Sequence, residues 1–187
     1  MKTKIQIILG STRDGRNGEK VCRWITNIAK KNNDVEYEVI DLKEWNLPMF
    51  NDPKPPFMGE YSYEHSKKWS KKISEADGYL IVTPEYNHGY PGVLKNAIDY
   101  LYKEWNNKPV AFVSYGGYVG GARAVEQLRL VAVELQMTPI REEVNIPFVW
   151  QAFDEKGEIL NKHLNEKAEV MLKQLEKFTD NMKNMRK

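Results

Sequence analysis

The feature of this 187-residue sequence that most restricts its fold is a regular alternation of short β-branched runs with segments of helical periodicity. Strand-like runs occur at Lys4 to Leu9, Val35 to Val39, Tyr79 to Thr83 and Val110 to Ser114. The segments between them carry apolar residues three and four positions apart, as amphipathic helices do. This alternation predicts an α/β fold in which helices cover both faces of a parallel sheet.

The burial expected for each strand predicts its place in the sheet. Tyr79 to Thr83 and Val110 to Ser114 read as strands buried on both faces. Val35 to Val39 alternates apolar and acidic residues, and a fifth, short strand near Thr138 to Ile140 contains Pro139, so both favour sheet edges. We therefore expect the order 2-1-3-4-5, with a ligand crevice at the carboxyl ends of strands one and three, where the winding reverses.

The remaining segments complete a single domain over residues 1–187. Helices are expected from about Arg16 to Lys31, Tyr63 to Ser74 and Ala122 to Leu135, with a long final helix at about 160–185. A further helical stripe consists of Leu94, Ala97, Ile98 and Leu101. The stretch from Leu47 to Gly59 carries four prolines, which deny it regular hydrogen bonding. We expect a long surface loop there, lying over the site.

Composition excludes several classes of protein. A single cysteine, Cys22, rules out an internal disulfide framework and a cysteine-based metal cluster, and it favours a reducing, cytoplasmic location. With 28 basic and 26 acidic residues the net charge is only +2, so no general attraction to nucleic acid or membrane is indicated. No leader or membrane-spanning run is visible. His65 and His163 have no neighbouring ligand set, so no metal site is expected.

The loop after strand one, from Gly10 to Gly18, is rich in groups that bind anions. It offers hydroxyls, an amide, two guanidinium groups and the free N–H groups of a helix N-terminus, which together predict a phosphate cradle. It matches neither the Walker pattern nor the dinucleotide fingerprint, so those two kinds of site are not indicated. The competing interpretation is an ordinary turn with solvated arginines.

Two further loops follow the central strands. The loop from Thr83 to Gly92 combines proline and glycine with Tyr86 and Tyr90, which could pack on a flat aromatic ligand or simply cap the core. The loop from Ser114 to Gly121 holds four glycines within six positions, which indicates close approach of the backbone to a ligand or else plain flexibility. Because all three loops fall where this topology predicts a crevice, together they favour a binding site.

These loops resemble those of the NADPH-dependent FMN reductases, which have a flavodoxin-like fold. The resemblance covers about Lys4 to Pro147. Its three motifs are Gly10-Ser11-Thr12-Arg13 with Arg16, Pro84-Glu85-Tyr86-Asn87 with Pro91-Gly92-x-Leu94-Lys95-Asn96-Ala97-Ile98-Asp99, and Ser114-Tyr115-Gly116-Gly117 with Gly120-Gly121-x-Arg123-Ala124.

The resemblance implies an oxidoreductase that holds FMN and oxidises NADPH or NADH in favour of a small electron acceptor. It implies that the FMN phosphate is held by Ser11, Arg13, Arg16 and Asn17. It places four residues along the flavin ring, namely Pro84, Glu85, Tyr86 and Asn87, with Ser114 and Gly116 on the other edge. Four neighbours complete the candidate cofactor-binding set: Thr12, Gly18, Tyr115 and Gly117. No catalytic side chain is expected, because the cofactor carries the chemistry.

Finer expectations follow from the same loops. Backbone N–H groups of Glu85 to Asn87 are candidates to donate to the flavin, and Gly116 and Gly117 leave room for a nicotinamide. Arg123 could serve a nucleotide phosphate, a subunit contact or neither. A homodimer or homotetramer is implied by resemblance, with Tyr102 and Trp105 as exposed aromatic contributors.

Three alternatives stay open. The same scaffold could carry a quinone, azo-dye or metal-oxyanion reductase. It could also be a flavodoxin-like electron carrier without NAD(P)H oxidation, although the nearly balanced charge and the arginines of the first loop speak against that. A flavodoxin-like interaction module without flavin is the third.

Overall fold

The computed structural model describes residues 2–186, and their strands form one five-stranded parallel sheet in the order β2-β1-β3-β4-β5. The strands are β1 (Thr3–Leu9), β2 (Val35–Asp41), β3 (Gly78–Pro84), β4 (Pro109–Tyr115) and β5 (Thr138–Ile146). The predicted order is confirmed. Every residue of β3 and β4 is buried, which explains their apolar sequences.

Helices cover both faces of this sheet. They are α1 (Gly18–Ala29), α2 (Leu42–Trp45), α3 (Glu64–Ser74), α4 (Gly92–Asp99), α5 (Ala122–Glu134) and α6 (His163–Met185), with 3-10 turns at Pro56–Met58 and Val149–Gln151. One core lies between the sheet and α1 with α6, and a second lies between the sheet and α3, α4 and α5. Only α2 was not predicted, because four residues are too few to show a helical period.

The prediction of a short β5 was wrong. The strand has nine residues and ends at Ile146, with buried Ile140, Val144 and Ile146 separated by polar residues. The guanidinium of Arg129 on α5 binds Ile140 O at 2.8 Å and the Glu143 carboxylate at 2.6 Å, which satisfies part of this polar strand. The polar residues of β5 made the strand hard to recognise in the sequence. Because β5 extends to Ile146, the chain reaches the carboxyl edge of the sheet.

The proline-rich segment 47–59 is held by α3 and α4. The Asn96 side chain donates to Pro48 O at 2.8 Å and accepts from Phe50 N at 2.7 Å. The buried Tyr100 ring meets Phe50 edge-on at 5.1 Å and His65 at 5.6 Å. No residue of this segment is among those that line the cavity described in the next subsection, and its expected position over the site stays a prediction.

Asp77, just before β3, ties the C-terminal helix to the amino edge of the sheet. Its carboxylate accepts hydrogen bonds from Lys4 N at 3.0 Å, Lys183 Nζ at 2.7 Å and Arg186 at 3.3 Å. Burial alone would raise the pKa of Asp77, but these donors outweigh it and hold the pKa below its ordinary value. The ionised form therefore stabilises the folded chain.

We predict that Asp77→Asn lowers the free energy of unfolding by about 1–2 kcal/mol at neutral pH. Because the pKa is lower in the folded protein, this difference should be complete above the unfolded pKa of about 4 and should shrink as the pH falls through the folded value. Urea titrations of both proteins across that range measure it. Asp14→Asn is the control, since its carboxylate is 97% exposed and pairs only with Lys43, and it should have little effect. Equal effects of the two substitutions would contradict the assignment.

Candidate functional site

The loops after β1, β3 and β4 meet at the carboxyl edge of the sheet around a cavity of about 190 Å³. The predicted site residues that line it are Arg13, Arg16, Asn17, Pro84, Glu85, Tyr86, Tyr115, Gly116 and Gly117. Ser11, Thr12, Gly18, Asn87 and Ser114 are not among its lining residues. Parallel strands bring their carboxyl ends to one edge, so segments about 70 and 30 residues apart become neighbours.

The first loop presents an open helix N-terminus to this cavity. Asn17 precedes α1 in helical conformation, and its side chain makes no capping hydrogen bond. Within residues 2–186, no hydrogen bond or ion pair is recorded for the Arg13 guanidinium, which lines the cavity and is exposed. Unpaired N–H groups of a first helical turn and a free guanidinium together suit an anion.

Arg16 lines the same cavity, but its guanidinium is already paired with a carboxylate of the chain. Its side chain is 3% exposed and forms a two-pronged ion pair with Asp41 at the end of β2, with Nη1 and Oδ1 2.8 Å apart. It also donates to Glu19 at 3.1 Å and to the carbonyl of Ser11. Burial alone would lower the pKa of Arg16, but the partnership with Asp41 outweighs it and raises the pKa. Arg16 therefore positions the first loop more than it supplies free positive charge.

Beneath the first loop, two hydroxyls form a buried support. Ser11 Oγ and the Tyr115 hydroxyl lie 3.1 Å apart. Burial raises the pKa of Tyr115, so this phenol stays neutral. Gly18 packs against both groups: a Cβ there would stand 2.4 Å from the Tyr115 hydroxyl and 2.8 Å from Ser11 Oγ. Ser11 and Gly18 therefore shape the loop from below rather than line the cavity.

The second loop is a tight two-residue hairpin. Tyr86 and Gly89 exchange main-chain hydrogen bonds of 2.8 and 3.0 Å, while Asn87 and His88 between them both have positive φ. Gln127 Nε2 holds the turn by donating to His88 O at 2.9 Å. This rigid turn places the half-exposed Tyr86 ring at the cavity.

The hairpin corrects the expected set of backbone donors. Glu85 N donates to Tyr115 O at 3.0 Å and Tyr86 N donates to Gly89 O, so both N–H groups are already used inside the chain. For Asn87 N, no acceptor is recorded within residues 2–186. The sequence predicted that the N–H groups of Glu85, Tyr86 and Asn87 could donate to a ligand. Of these three, only that of Asn87 is available.

Glu85 closes the N-terminus of a second helix. Its carboxylate accepts from Arg123 N at 3.2 Å and from Arg123 Nε at 2.6 Å. An acidic group at the start of α5 is favoured by the helix dipole. The positive end of α5 is thus neutralised by the chain itself, whereas no side chain caps α1 and the acidic Glu19 in its first turn is paired with Arg16. Arg123, whose role was undecided from sequence, is a partner of Glu85.

The third loop is supported from below by Ser114. This side chain is fully buried, donates to Gly120 O at 2.8 Å and accepts from Asn145 Nδ2 at 2.9 Å. Gly121 has φ +91°, and a Cβ there would lie 2.7 Å from Ser114 Cβ. The Ser114 hydroxyl therefore faces the loop and not the cavity, and the expected contact of this residue with a flavin edge stays a prediction.

Two lining residues were missed from the sequence, Val149 and Trp150. They follow β5, whose end was placed at Ile140 instead of Ile146, so the turn after it was not assigned to the carboxyl edge. The signal was present, since Ile140, Val144 and Ile146 keep the alternation of a half-buried strand.

Larger concavities lie elsewhere on the surface, including one of about 400 Å³ between α1 and α6. It is bordered by side chains of both charges, Lys31, Glu169, Lys173 and Glu176, and by none of the loops at the carboxyl edge. Volume alone is a weaker guide than convergent polar groups at the point where the strand order reverses. We therefore take the smaller cavity as the candidate functional site.

The described part of the chain offers neither a cluster of metal ligands nor a membrane-spanning helix. Within residues 2–186, no group of three or more His, Cys, Asp or Glu side chains is arranged to hold a metal ion. Across the same residues, no helix combines the length and apolar character needed to cross a membrane.

Comparison with known proteins gives matches over most of the chain. The sequence profile of the NADPH-dependent FMN reductases matches residues 3–151. An NAD(P)H-dependent FMN reductase of Schizosaccharomyces pombe is 40% identical over 169 residues, which are 87% of this chain and 84% of that protein. A quinone reductase of Pseudomonas putida is 30% identical over 165 residues, covering 84% and 85% of the two chains.

A solved structure shares the fold. The flavoenzyme NAD(P)H:(acceptor) oxidoreductase FerB of Paracoccus denitrificans superposes with a TM-score of 0.77 at 23% identity, covering 96% of this chain and 98% of that one. This confirms the flavodoxin-like arrangement that the motifs indicated.

We predict that Gly18→Ala destabilises the protein by about 1–3 kcal/mol, the usual cost of overpacking a tight site. Its new Cβ would overlap the Tyr115 and Ser11 hydroxyls. Gly92→Ala is a matched control, because Gly92 is also the first residue of its helix but has nothing within 4 Å of the added Cβ. It should be neutral or slightly stabilising. Chemical denaturation measures both, and equal stabilities would contradict the packing described for the first loop.

Proposed function

The chain belongs to the NADPH-dependent FMN reductase family, and from that premise we propose that it binds FMN in the cavity at the carboxyl edge and oxidises NAD(P)H in favour of a small acceptor such as a quinone or free flavin. In the quinone case, one hydride from NAD(P)H and one proton from water convert the quinone to hydroquinone and leave NAD(P)⁺. Electrons and protons balance without another reactant.

One observation carries the proposal: the Arg13 guanidinium and the uncapped N-terminus of α1 face the same cavity as Tyr86, Gly116 and Gly117. FMN needs both kinds of group, an anion site for its phosphate and an open backbone beside a flat ring. The two neighbouring positive groups, Arg16 and the start of α5, are already paired with carboxylates. The residues therefore fit a ligand with a phosphate at one end and a ring at the other.

Bound FMN would supply the redox chemistry, because its ring accepts a hydride from a reduced nicotinamide and releases the electrons to a second acceptor. The chain's part is to bind and orient. Arg13 and the first turn of α1 hold negative charge. The Asp41–Arg16 ion pair and the Ser11–Tyr115 hydroxyl pair keep the first loop in place. Asn87 N is available as a hydrogen-bond donor, and Gly117 leaves open space beside the ring because it carries no side chain.

The choice of acceptor is a proposal supported by relatives of two kinds. FMN reductases and quinone reductases both match across most of this chain. A quinone is a flat ring, as is flavin, so either could stand where the cavity opens toward Tyr86 and Trp150. An electron carrier without NAD(P)H oxidation is less well supported, because the family and the relatives named above are reductases.

We further propose that the protein self-associates as a homodimer or homotetramer and works in the cytoplasm. Trp105, nominated from sequence as an exposed contributor, is in fact buried against Tyr79. Exposed apolar side chains on α5, Leu130 and Val133, support self-association instead. The buried thiol of Cys22, whose pKa burial raises to about 11, is compatible with a reducing compartment.

We predict that the purified protein, loaded with FMN, loses its visible flavin absorption when NADPH or NADH is added without oxygen, and regains it when a quinone follows. Absorption spectroscopy before and after each addition makes the measurement. FMN binding without bleaching by either nucleotide would favour an electron carrier, and a protein with no affinity for FMN would overturn the proposal.

We also predict that Arg13→Ala weakens FMN binding at least tenfold, since a charge-assisted phosphate contact contributes about 1.5–3 kcal/mol. Fluorescence titration of FMN into the apoprotein measures the affinity. Arg23→Ala is the matched control, because Arg23 is exposed on α1 but does not line the cavity. If both variants bound FMN as the unaltered protein does, the phosphate site would have to lie elsewhere.

A further inference from the structure

Three aromatic rings contact one another in a row beside the cavity, and one of them, Trp150, lines it. Phe148 contacts Tyr118 edge-on at 5.2 Å and Trp150 edge-on at 5.8 Å. Trp150 is 64% exposed and Tyr118 is 85% exposed. Large aromatic side chains normally contribute to a core, so two strongly exposed ones, joined through the half-buried Phe148 and reaching the cavity at Trp150, indicate a binding surface. We call Tyr118, Phe148 and Trp150 the aromatic strip.

The turn that carries the strip is firmly built. Phe148 N donates to Gly117 O at 3.1 Å, Val149 N donates to Gly116 O at 3.2 Å, and Gln151 N donates back to Phe148 O at 3.0 Å. Val149 is buried beneath this turn. Phe148 has φ +46°, a left-handed conformation that is rare for a bulky residue. Such outliers persist where the surrounding structure enforces them, and they cluster at functional sites.

Trp150 stands directly beside the third loop. It lines the cavity, and its Cη2 would lie 4.0 Å from a Cβ at position 117. Tyr86, on its rigid hairpin, lines the cavity from the second loop. A ring entering above Gly117 would therefore meet the Trp150 side chain, with no side chain on Gly117 to obstruct it.

The charges around the aromatic strip indicate which kind of ligand ring would bind there. No member of the strip is charged, and the carboxylate of Glu85 is already paired with Arg123. Arg13 and Arg16 line the same cavity as Trp150, but Arg16 is paired with Asp41 and Arg13 is the group assigned to the FMN phosphate, so neither is left for a second phosphate. A pyridine dinucleotide brings phosphates that need cationic partners, whereas a neutral aromatic acceptor needs only flat apolar surface. The strip therefore matches the acceptor better than NAD(P)H.

We propose that Trp150, oriented by Phe148 and Tyr118, is the residue on which neutral, flat aromatic acceptors stack, and that it sets the preference for them over non-planar acceptors. This rests on the proposed function, since it assigns a specificity-determining residue to the oxidising half of that reaction. Tyr118 and Phe148 are positioning residues that extend the same surface.

The test compares Trp150→Ala and Trp150→Phe with the unaltered protein, each loaded with FMN. Menadione, a flat neutral quinone, is titrated by calorimetry into the oxidised proteins without NAD(P)H, so that binding is measured with no turnover. Steady-state kinetics then compare menadione with ferricyanide, which accepts one electron at a time and offers no ring to stack. Phe57→Ala is the control, because Phe57 is a similarly exposed aromatic, 60%, that does not line this cavity.

We expect Trp150→Ala to weaken menadione binding about tenfold and to lower its kcat/KM by a similar factor, as loss of one stacking partner does. Trp150→Phe should recover most of both. Ferricyanide reduction should fall by a smaller factor than menadione reduction, because ferricyanide offers no ring to stack, and Phe57→Ala should match the unaltered protein throughout.

Two results would overturn the assignment. Unchanged menadione binding in Trp150→Ala would show that the ring does not stack there. A slower bleaching by NADPH with unchanged menadione binding would mean that Trp150 faces the nicotinamide instead. Failure of the proposed function looks different, because the unaltered protein would then not be bleached by NADPH or NADH at all.

Discussion

The parallel pairing of β1 with β3 is the constraint on which the rest of this structure depends. Residues Ile5 to Leu9 align with Gly78 to Val82, so two strands about 70 positions apart lie side by side in the middle of the sheet. Helices leave the two strands toward opposite faces, and the loops that precede those helices must part at the carboxyl edge. The cavity lies where these loops separate, and each of its loops begins at the end of a strand that is fixed in the core.

Around the cavity the chain satisfies most of its own polar groups. Asp41 neutralises Arg16, and Glu85 occupies the N-terminus of α5 and binds Arg123. What stays open is Arg13 with the first turn of α1. Ligand affinity in such a site depends on this difference, because a buried group already in an ion pair has little left to offer an incoming phosphate.

The sequence predicted most of the fold and much of the site, and its errors share a physical cause. Strands β3 and β4 were recognisable because burial on both faces demands apolar residues throughout. The edge strand β5 needs only one apolar face, so polar residues alternate with apolar ones along it. For that reason six of its nine residues were not predicted as strand. Val149 and Trp150 were missed as a direct result.

By itself, the sequence determined the order of the strands, the three loops that converge and the presence in the first loop of groups that suit an anion, since period, burial and residue type are local properties of the chain. Tertiary structure alone decided which polar groups remain available. Arg13 and Arg16 are three positions apart and chemically alike, yet only Arg16 lies within reach of Asp41, because β1 and β2 end side by side. Such pairings depend on distances across the fold, and no local pattern records them.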